Sequence, residues 1–338
     1  SHEYNHRIIL KYLRGSVYIG DIIVVKMSQL ILNFFKKNEE VGLTLQPVGH
    51  CNYEDHIEVK GKKAYDLLVL SNNRKKNLNT YCKSIKSLLR NHQDIQPIEN
   101  TKPMTFCWSL GNHQFLSTSL FYEYYMATMA NTLSKLKIAM DSDGENNEIY
   151  KECKEQLMHL SGMFNEWKTQ KLILPHVPYV VTPLFIKSML CFIHGCHTLQ
   201  VAHKVKDNNK PFAYATAMKS FGEVWPRHAY GEIATQQYLV SRIFLYNELM
   251  KSEGDSGAKL TCAQEVNKLL PHTQIQKCFL NKPSLEQFDK LEQSIENTIA
   301  DLINTDYAVA KSINDIQIPK TPKLIICPNT QQFGCKCK

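Results

Sequence analysis

The sequence predicts a mostly helical protein, an irregular helical solenoid with a small β element near its N-terminus and an extended strap near its C-terminus. From residue 78 onward the apolar residues recur at spacings of three and four, which is the period of an amphipathic helix. Before residue 70 the apolar residues come in short runs that are separated by glycines. Near the C-terminus, prolines interrupt the chain too often for a helix to form.

The N-terminal part, residues 7–70, is predicted to hold a few short strands and one short helix. The β-branched run at 22–25 is typical of a strand, whereas residues 28–37 carry the helical period. The apolar run at 17–35 is interrupted by charged and polar side chains, so we do not expect a membrane-spanning helix there. The glycines that punctuate this part are Gly15, Gly20, Gly42, Gly49 and Gly61.

The middle part, residues 78–304, is predicted to be a series of helical hairpins. Its connections are short and polar, as at 206–210, and short loops make successive helices antiparallel neighbours. The helix that follows Thr182 and Pro183 is apolar almost all round, which predicts a central position covered by other helices. The predicted helices span 78–91, 114–140, 148–171, 182–205, 212–225, 232–251, 259–270 and 284–304.

The C-terminal part is predicted to lie extended on the surface over residues 307–328, because Pro319, Pro322 and Pro328 are incompatible with a helix interior. Residues 329–338 are predicted to form a flexible tail. With 43% hydrophobic residues, the chain can bury a substantial core. We predict a single domain over 1–338.

Composition points to a reducing compartment, the cytoplasm. The chain has 11 cysteines without a CxxC pair and no Asn-x-Ser/Thr sequon, unlike a secreted disulfide-bonded protein. The formal net charge of +8 favours acidic partners or an anionic membrane surface. The densest basic cluster, Arg74 to Lys76 with Lys83 and Lys86, is too short to predict a nucleic-acid surface.

Catalytic and metal-binding patterns are weak. None of the phosphate-binding, dinucleotide-binding, zinc-protease or serine-hydrolase motifs occurs, so the sequence predicts neither an enzyme nor a cofactor. His194 and His197 lie near Cys191 and Cys196, but their spacing of three and the lack of a nearby carboxylate favour ordinary packing residues over a zinc site. Cys335 and Cys337, which lie beside lysines in the tail, are candidate lipidation sites, with exposed thiols as the simpler interpretation.

Several segments, taken in order, resemble one family. LNTYCKSIKSLLRN (78–91) is followed by Phe106-Cys107-Trp108, where the family has a Phe-x-Trp, and then by SLFYEYYMATMANTLSKLKIAM (119–140). KECKEQLMHLSGMFNEWK and SMLCFIHGCHTLQVAHKV resemble the next two helices of that family. The chain thereby resembles the BRO (Bro-one) domain family of the ALIX and rhophilin type. The likeness covers about 28–328, and the proline-containing end matches the family's strap.

This resemblance implies a boomerang-shaped, tetratricopeptide-like scaffold that binds other proteins and is not an enzyme. It implies docking of an amphipathic C-terminal helix of an ESCRT-III subunit, of the charged multivesicular body protein type, and recruitment from the cytoplasm to the endosomal membrane. Where family members carry a large apolar residue and a lysine, this chain has His197 and Gln200. By this matching the partner-binding positions are His197, Leu199, Gln200, Pro211, Phe212 and Ala215.

Two other functions stay open at this stage. One is a membrane-surface scaffold in which the net charge of +8 and the tail, with its lysines and cysteines, make the contact. The other is a helical metal protein or enzyme built around His194, His197 and buried cysteines.

Overall fold

The computed structural model describes residues 44–59, 64–90, 95–99, 101–141, 146–169, 179–202, 204–225, 230–273 and 282–322. The chain divides into two compact units, Ser1–Gly42 and Leu43–Lys338, and all described residues belong to the second unit. The strands and the helix predicted between residues 7 and 42 therefore lie outside the described residues. The tail with Cys335 and Cys337, and the strap beyond residue 322, lie outside them as well.

The described residues are mostly helical. Five short strands precede or interrupt the first helices: β1 (Leu45–Val48), β2 (Ile57–Val59), β3 (Ile95–Pro97), β4 (Phe106–Leu110) and β5 (His113–Ser117). The nine α-helices within the described ranges are α1 (Ala64–Lys76), α2 (Leu78–Arg90), α3 (Leu120–Asp141), α4 (Asn147–Thr169), α5 (Pro183–Ala202), α6 (Lys210–Gly222), α7 (Gly231–Ser252), α8 (Ser256–Leu269) and α9 (Lys282–Asn304). None of these helices has both the length and the apolar character that a bilayer crossing needs.

The strands form a three-stranded antiparallel sheet in the order β1–β4–β5 and a separate antiparallel pair, β2–β3. The helix predicted from residue 114 is wrong at its start, because residues 113–117 are β5 and the helix begins only at Leu120. Gly111, at a φ of +58°, allows the tight turn between β4 and β5. Along β4 the side chains alternate, and Phe106, Trp108 and Leu110 are buried.

Helix α1 corrects a second prediction, since residues 64–70 were assigned to the strand-rich part. Its inward face is made by Leu67, Leu70, Ser71 and Arg74, which are buried at spacings of three, one and three. Leu68 and Val69 on the same helix are exposed. The consecutive apolar run therefore concealed a one-sided helical pattern, in which a serine and an arginine occupy core positions.

A buried carboxylate, Glu123 at the start of α3, organises the first helices and the sheet. It accepts hydrogen bonds from Arg74 Nε at 2.7 Å and from Tyr81 OH at 2.6 Å. It accepts a third, at 2.5 Å, from Trp108 Nε1 on β4. These four side chains, Arg74, Tyr81, Trp108 and Glu123, are at most 1% exposed, and we call them the polar hub.

The polar hub also holds the backbone of the sheet. Arg74 donates to the carbonyl oxygens of Val48 at 3.1 Å and Cys107 at 2.9 Å, which belong to the paired strands β1 and β4. The Tyr53 hydroxyl extends the network by bonding that of Tyr81 at 2.7 Å. Arg74 is thus a core residue, so the basic cluster of the sequence loses its first member as a surface charge.

From α3 to α9 each helix packs against the next one, as the predicted series of helical hairpins requires. Helix α5 lies between α4 and α6, and 13 of its 20 residues are buried. Its apolar circumference in the sequence is the reason, because a helix that is apolar all round is stable only when neighbours cover it.

Residues 305–322 run without regular structure except for one 3-10 turn, Ile313–Asp315. Lys311 attaches this segment to α8: its N–H donates to Thr261 Oγ1 at 2.8 Å, and its carbonyl oxygen accepts from Thr261 Oγ1 at 3.1 Å. Its ammonium lies 3.2 Å from Asp255, the N-cap residue of α8. Ile316 is buried. This part of the predicted strap therefore lies along the helices.

Candidate functional site

Helices α5 and α6 form an antiparallel pair whose ends are held by specific contacts. Near the start of α5, Ser188 Oγ accepts a hydrogen bond from Trp225 N at 3.2 Å, just beyond the end of α6. In the middle, a Cβ atom at Gly195 would lie 2.8 Å from the Phe221 ring, so the helices approach closely only because residue 195 is a glycine. The C-terminal end of α5 and the N-terminal end of α6 therefore lie side by side.

Two of the six predicted partner-binding residues reach the surface at this end of the pair. Phe212, in the first turn of α6, is 44% exposed, which is unusual for a phenylalanine. His197 of α5 is partly buried. Thr198 and Val201, within four residues of His197 on α5, and Thr216, one turn after Phe212 on α6, are also partly buried. We call the set His197, Thr198, Val201, Phe212 and Thr216 the α5–α6 surface.

The other four predicted residues are buried: Leu199, Gln200, Pro211 and Ala215 are each less than 9% exposed. Gln200 has a structural contact, because its side-chain oxygen accepts a hydrogen bond from Asn146 N at 3.1 Å, immediately before α4. Pro211 stands in the first turn of α6, where a missing N–H costs nothing. These four buried residues lie beneath the side chains of the α5–α6 surface and support them.

The two histidines of α5 are held in the neutral form. Burial lowers the pKa of His194 to about 4, helped by the positive charge of Lys154, whose Nζ lies 3.4 Å from His194 Nδ1. Burial also lowers the pKa of His197, with Lys154 contributing in the same direction. At neutral pH, His197 therefore presents an uncharged imidazole to the surface.

Metal binding finds no support in this region. Within the described ranges, no group of three or more histidine, cysteine, aspartate or glutamate side chains is arranged to hold a metal ion. Cys191 donates a weak hydrogen bond to Glu223 at 3.8 Å, and burial raises the pKa of its thiol to about 11. A thiol with that pKa is a poor nucleophile and a poor metal ligand at neutral pH.

The strap meets the far end of α6. Lys219 Nζ donates to the carbonyl oxygens of Thr321 at 3.2 Å and Pro322 at 3.4 Å. Lys219 follows Phe212 by seven residues and so lies on the same face of the helix. No sequence pattern predicts this contact, because a surface lysine and a proline-containing segment have no distinctive spacing.

Neither a protein-family model nor a curated protein matches the sequence, but solved structures do. ALIX in complex with the SIVmac239 PYKEVTEDL late domain is 14% identical with a TM-score of 0.60, covering 87% of this chain and 50% of the ALIX chain. The chain thus spans about half the length of that protein. The ALIX BRO1–CHMP4C complex is 14% identical with a TM-score of 0.58, covering 87% of this chain and 97% of the other.

A third structure, described as the basis for endosomal targeting by the Bro1 domain, is 12% identical with a TM-score of 0.52, covering 86% of this chain and 95% of the other. These likenesses confirm the predicted mostly helical, BRO-like fold. At such low identity they carry the fold alone.

Proposed function

We propose that this chain is a non-enzymatic protein-binding scaffold that docks an amphipathic C-terminal helix of an ESCRT-III subunit on the α5–α6 surface. The observation that carries the proposal is the 44% exposure of Phe212 at the end of the α5–α6 pair where the chain connects the two helices, in a fold shared with the BRO1 domain of the ALIX–CHMP4C complex. One structural neighbour is described by its role in endosomal targeting. We extend the proposal to recruitment from the cytoplasm to endosomes.

An amphipathic helix fits this surface by a helix-in-groove mode, in which a few apolar anchors supply the affinity. Phe212 is the aromatic anchor, and Val201 extends the apolar contact on the neighbouring helix. Aromatic anchors of this kind are common hot spots, worth about 2 kcal/mol or more on truncation. A neutral His197 adds a hydrogen-bonding group without the cost of burying a charge.

The surroundings favour a partner helix whose polar flank is acidic. Lys151 is exposed and Lys154 is partly buried on α4, and the positive charges of both lower the pKa of His197. Glu148 of α4 has the opposite effect, because its negative charge raises the pKa of His197. Charges at the rim act mainly on the association rate and on orientation, and salt should weaken them.

The test is a titration of the purified chain with fluorescently labelled C-terminal helices of ESCRT-III subunits, beginning with a CHMP4 type. We expect Phe212→Asp to weaken binding by about 30-fold, the equivalent of one hot spot. Leu184→Asp is the matched control, because Leu184 is 53% exposed on α5 at the opposite end of the helix pair. This control should bind as the unaltered chain does.

The proposal fails if the unaltered chain binds none of these helices, or if Leu184→Asp and Phe212→Asp reduce binding equally. Liposomes provide a parallel comparison with the membrane-surface hypothesis. If the chain binds none of the helices but binds liposomes only when they contain anionic lipid, and loses that binding at high salt, the membrane-surface hypothesis replaces the peptide-docking proposal.

A further inference from the structure

A cleft of about 450 Å³ opens between α2 and α4, with α3 as its floor. It is lined by side chains of these three helices and involves neither α5 nor α6. Its volume lies in the range of about 300–1,000 Å³ that is typical of ligand sites. The cleft is therefore separate from the α5–α6 surface, and a function of the cleft does not depend on the function proposed for that surface.

One polar side chain on the floor of the cleft is mostly buried and opens into the cleft. Asn131 is 5% exposed and lines the cleft, and within the described ranges its side-chain amide makes no hydrogen bond. Its neighbours on the floor differ: Thr128 Oγ1 donates to Tyr124 O at 2.8 Å, and the Tyr124 hydroxyl lies 3.1 Å from His159 Nε2. The amide atoms of Asn131 are not among the described side-chain atoms that are both fully buried and unpaired, so they open into the cleft, where a hydrogen bond to a ligand contributes about 0.5–1.5 kcal/mol.

The amide of Asn131 restricts the chemistry of that ligand. A carboxamide has one acceptor oxygen and a donor NH₂ group on the same planar end. A peptide bond offers the matching donor and acceptor, whereas a phosphate offers acceptors alone. The floor of the cleft is thus suited to a polypeptide backbone.

The two walls carry opposite charges. On α2, Lys83 and Lys86 lie three residues apart and line one wall, and on α4, Glu152 and Glu155 do the same for the other. Glu152 is already paired with Lys135. Glu155 is exposed and forms no ion pair within the described ranges. The positive charges of this wall act inside the cleft. Burial lowers the pKa of His159 to about 4, and the charges of Lys86 and Arg90 lower it in the same direction.

We infer that this cleft is a second peptide-binding site, which accepts an extended segment with acidic and basic side chains in alternation. In an extended chain, successive side chains point to opposite sides. A backbone lying along α3 therefore directs every second side chain to the lysine wall and the others to the glutamate wall. Asn131 then bonds the backbone between them.

The test uses two capped hexapeptides of identical composition, Asp-Lys-Asp-Lys-Asp-Lys and Asp-Asp-Asp-Lys-Lys-Lys, each carrying a fluorophore. Only the alternating peptide separates its charges onto two sides when extended. We expect it to bind more tightly than the block peptide. We also expect the side-chain NH₂ signals of Asn131 in an NMR spectrum to shift on its addition.

Two variants locate the binding. Lys83→Glu should weaken binding of the alternating peptide by about threefold to fivefold, which is the effect of one exposed charge pair. Lys137→Glu is the matched control, because Lys137 is exposed on α3 outside the cleft and changes the net charge equally. Asn131→Leu should weaken binding by about threefold to tenfold, the effect of one hydrogen bond, with circular dichroism reporting that the fold is intact.

Equal binding of the two peptides, or equal losses in Lys83→Glu and Lys137→Glu, would reduce the effect to general electrostatics and overturn the inference. Absence of binding by the unaltered chain would overturn it as well. If free aspartate and lysine shift the Asn131 signals at the concentrations at which the peptide does, the site takes amino acids and the peptide assignment is wrong.

Discussion

The first helices and the later helices of this chain fill their cores in different ways. Around α1 to α3 and the sheet, the centre is the polar hub, where a buried carboxylate is bonded by an arginine, a tyrosine and a tryptophan. From α5 to α9 the centre is aromatic. Phe192 stacks on Tyr230 with ring centres 5.0 Å apart, and Tyr214 stacks on Phe244 at 5.2 Å.

This difference shows how each part obtains a defined structure. Hydrogen bonds to Glu123 are directional, so they fix α1, α2 and β4 relative to the start of α3 where packing of a small sheet would specify little. Aromatic packing is less directional but buries a large apolar area, which suits long helices with wide contact faces. The α5–α6 surface lies on the second kind of core.

The largest effect should come from the polar hub. Arg74→Met removes the guanidinium but leaves Glu123 buried without its countercharge, and such a change costs about 3–5 kcal/mol. Urea unfolding followed by circular dichroism measures the loss. Lys75→Met, at the next and exposed position, should change the free energy of unfolding by less than about 0.5 kcal/mol. Similar values for both variants would show that the hub does not specify the fold.

The aromatic part should respond to added volume. Gly195→Ala places a Cβ atom 2.8 Å from the Phe221 ring, which is 2% exposed and held edge-on by Phe192 at a centroid distance of 6.0 Å. Because the ring has no free space, we expect a loss of about 1–3 kcal/mol in the same unfolding experiment.

Gly222→Ala is the matched control for this variant. Its Cβ atom would meet the Tyr238 ring at an ordinary 3.5 Å, so a gain of about 0.5–1 kcal/mol is expected from reduced freedom of the unfolded chain. A loss at residue 222 as large as that at residue 195 would contradict the close approach of α5 and α6.

The last prediction concerns pH and tests both parts together. The pKa values of His159 and His194 fall from 6.5 to about 4, mainly through burial. The unfolded chain therefore binds more protons than the folded one between these values, and the free energy of unfolding should decrease as pH falls from 6.5 to about 4. His159→Gln and His194→Gln should each reduce this slope. A slope unchanged in the double variant would exclude both histidines as its source.

Some of the fold was predictable because it depends on local patterns. Helices α2 and α4 to α9 follow from apolar spacing, and their ends lie within a few residues of the predicted ones. The strand β5 was missed because Phe115 and Leu116 continue the apolar spacing of the helix after them. Only the pairing of β5 with β4 distinguishes the two structures.

The candidate site was predictable only in outline. Resemblance placed it at the junction of α5 and α6, but spacing did not show that Phe212 is exposed while Leu199 and Ala215 are buried. Exposure depends on which neighbour covers each side of a helix. The cleft on α3 gave no signal, since Lys83, Asn131 and Glu155 lie on three helices and meet only in space.

The sequence by itself determined the helical class, the order of most helices and the central position of α5. Each of these depends on short-range periodicity and on the burial of apolar side chains away from water. The tertiary structure decided the role of Arg74, the sheet that joins residues 45–48 to 106–117, and the separation of the α5–α6 surface from the cleft. These features require groups that are distant in sequence to meet, and local pattern carries no information on such meetings.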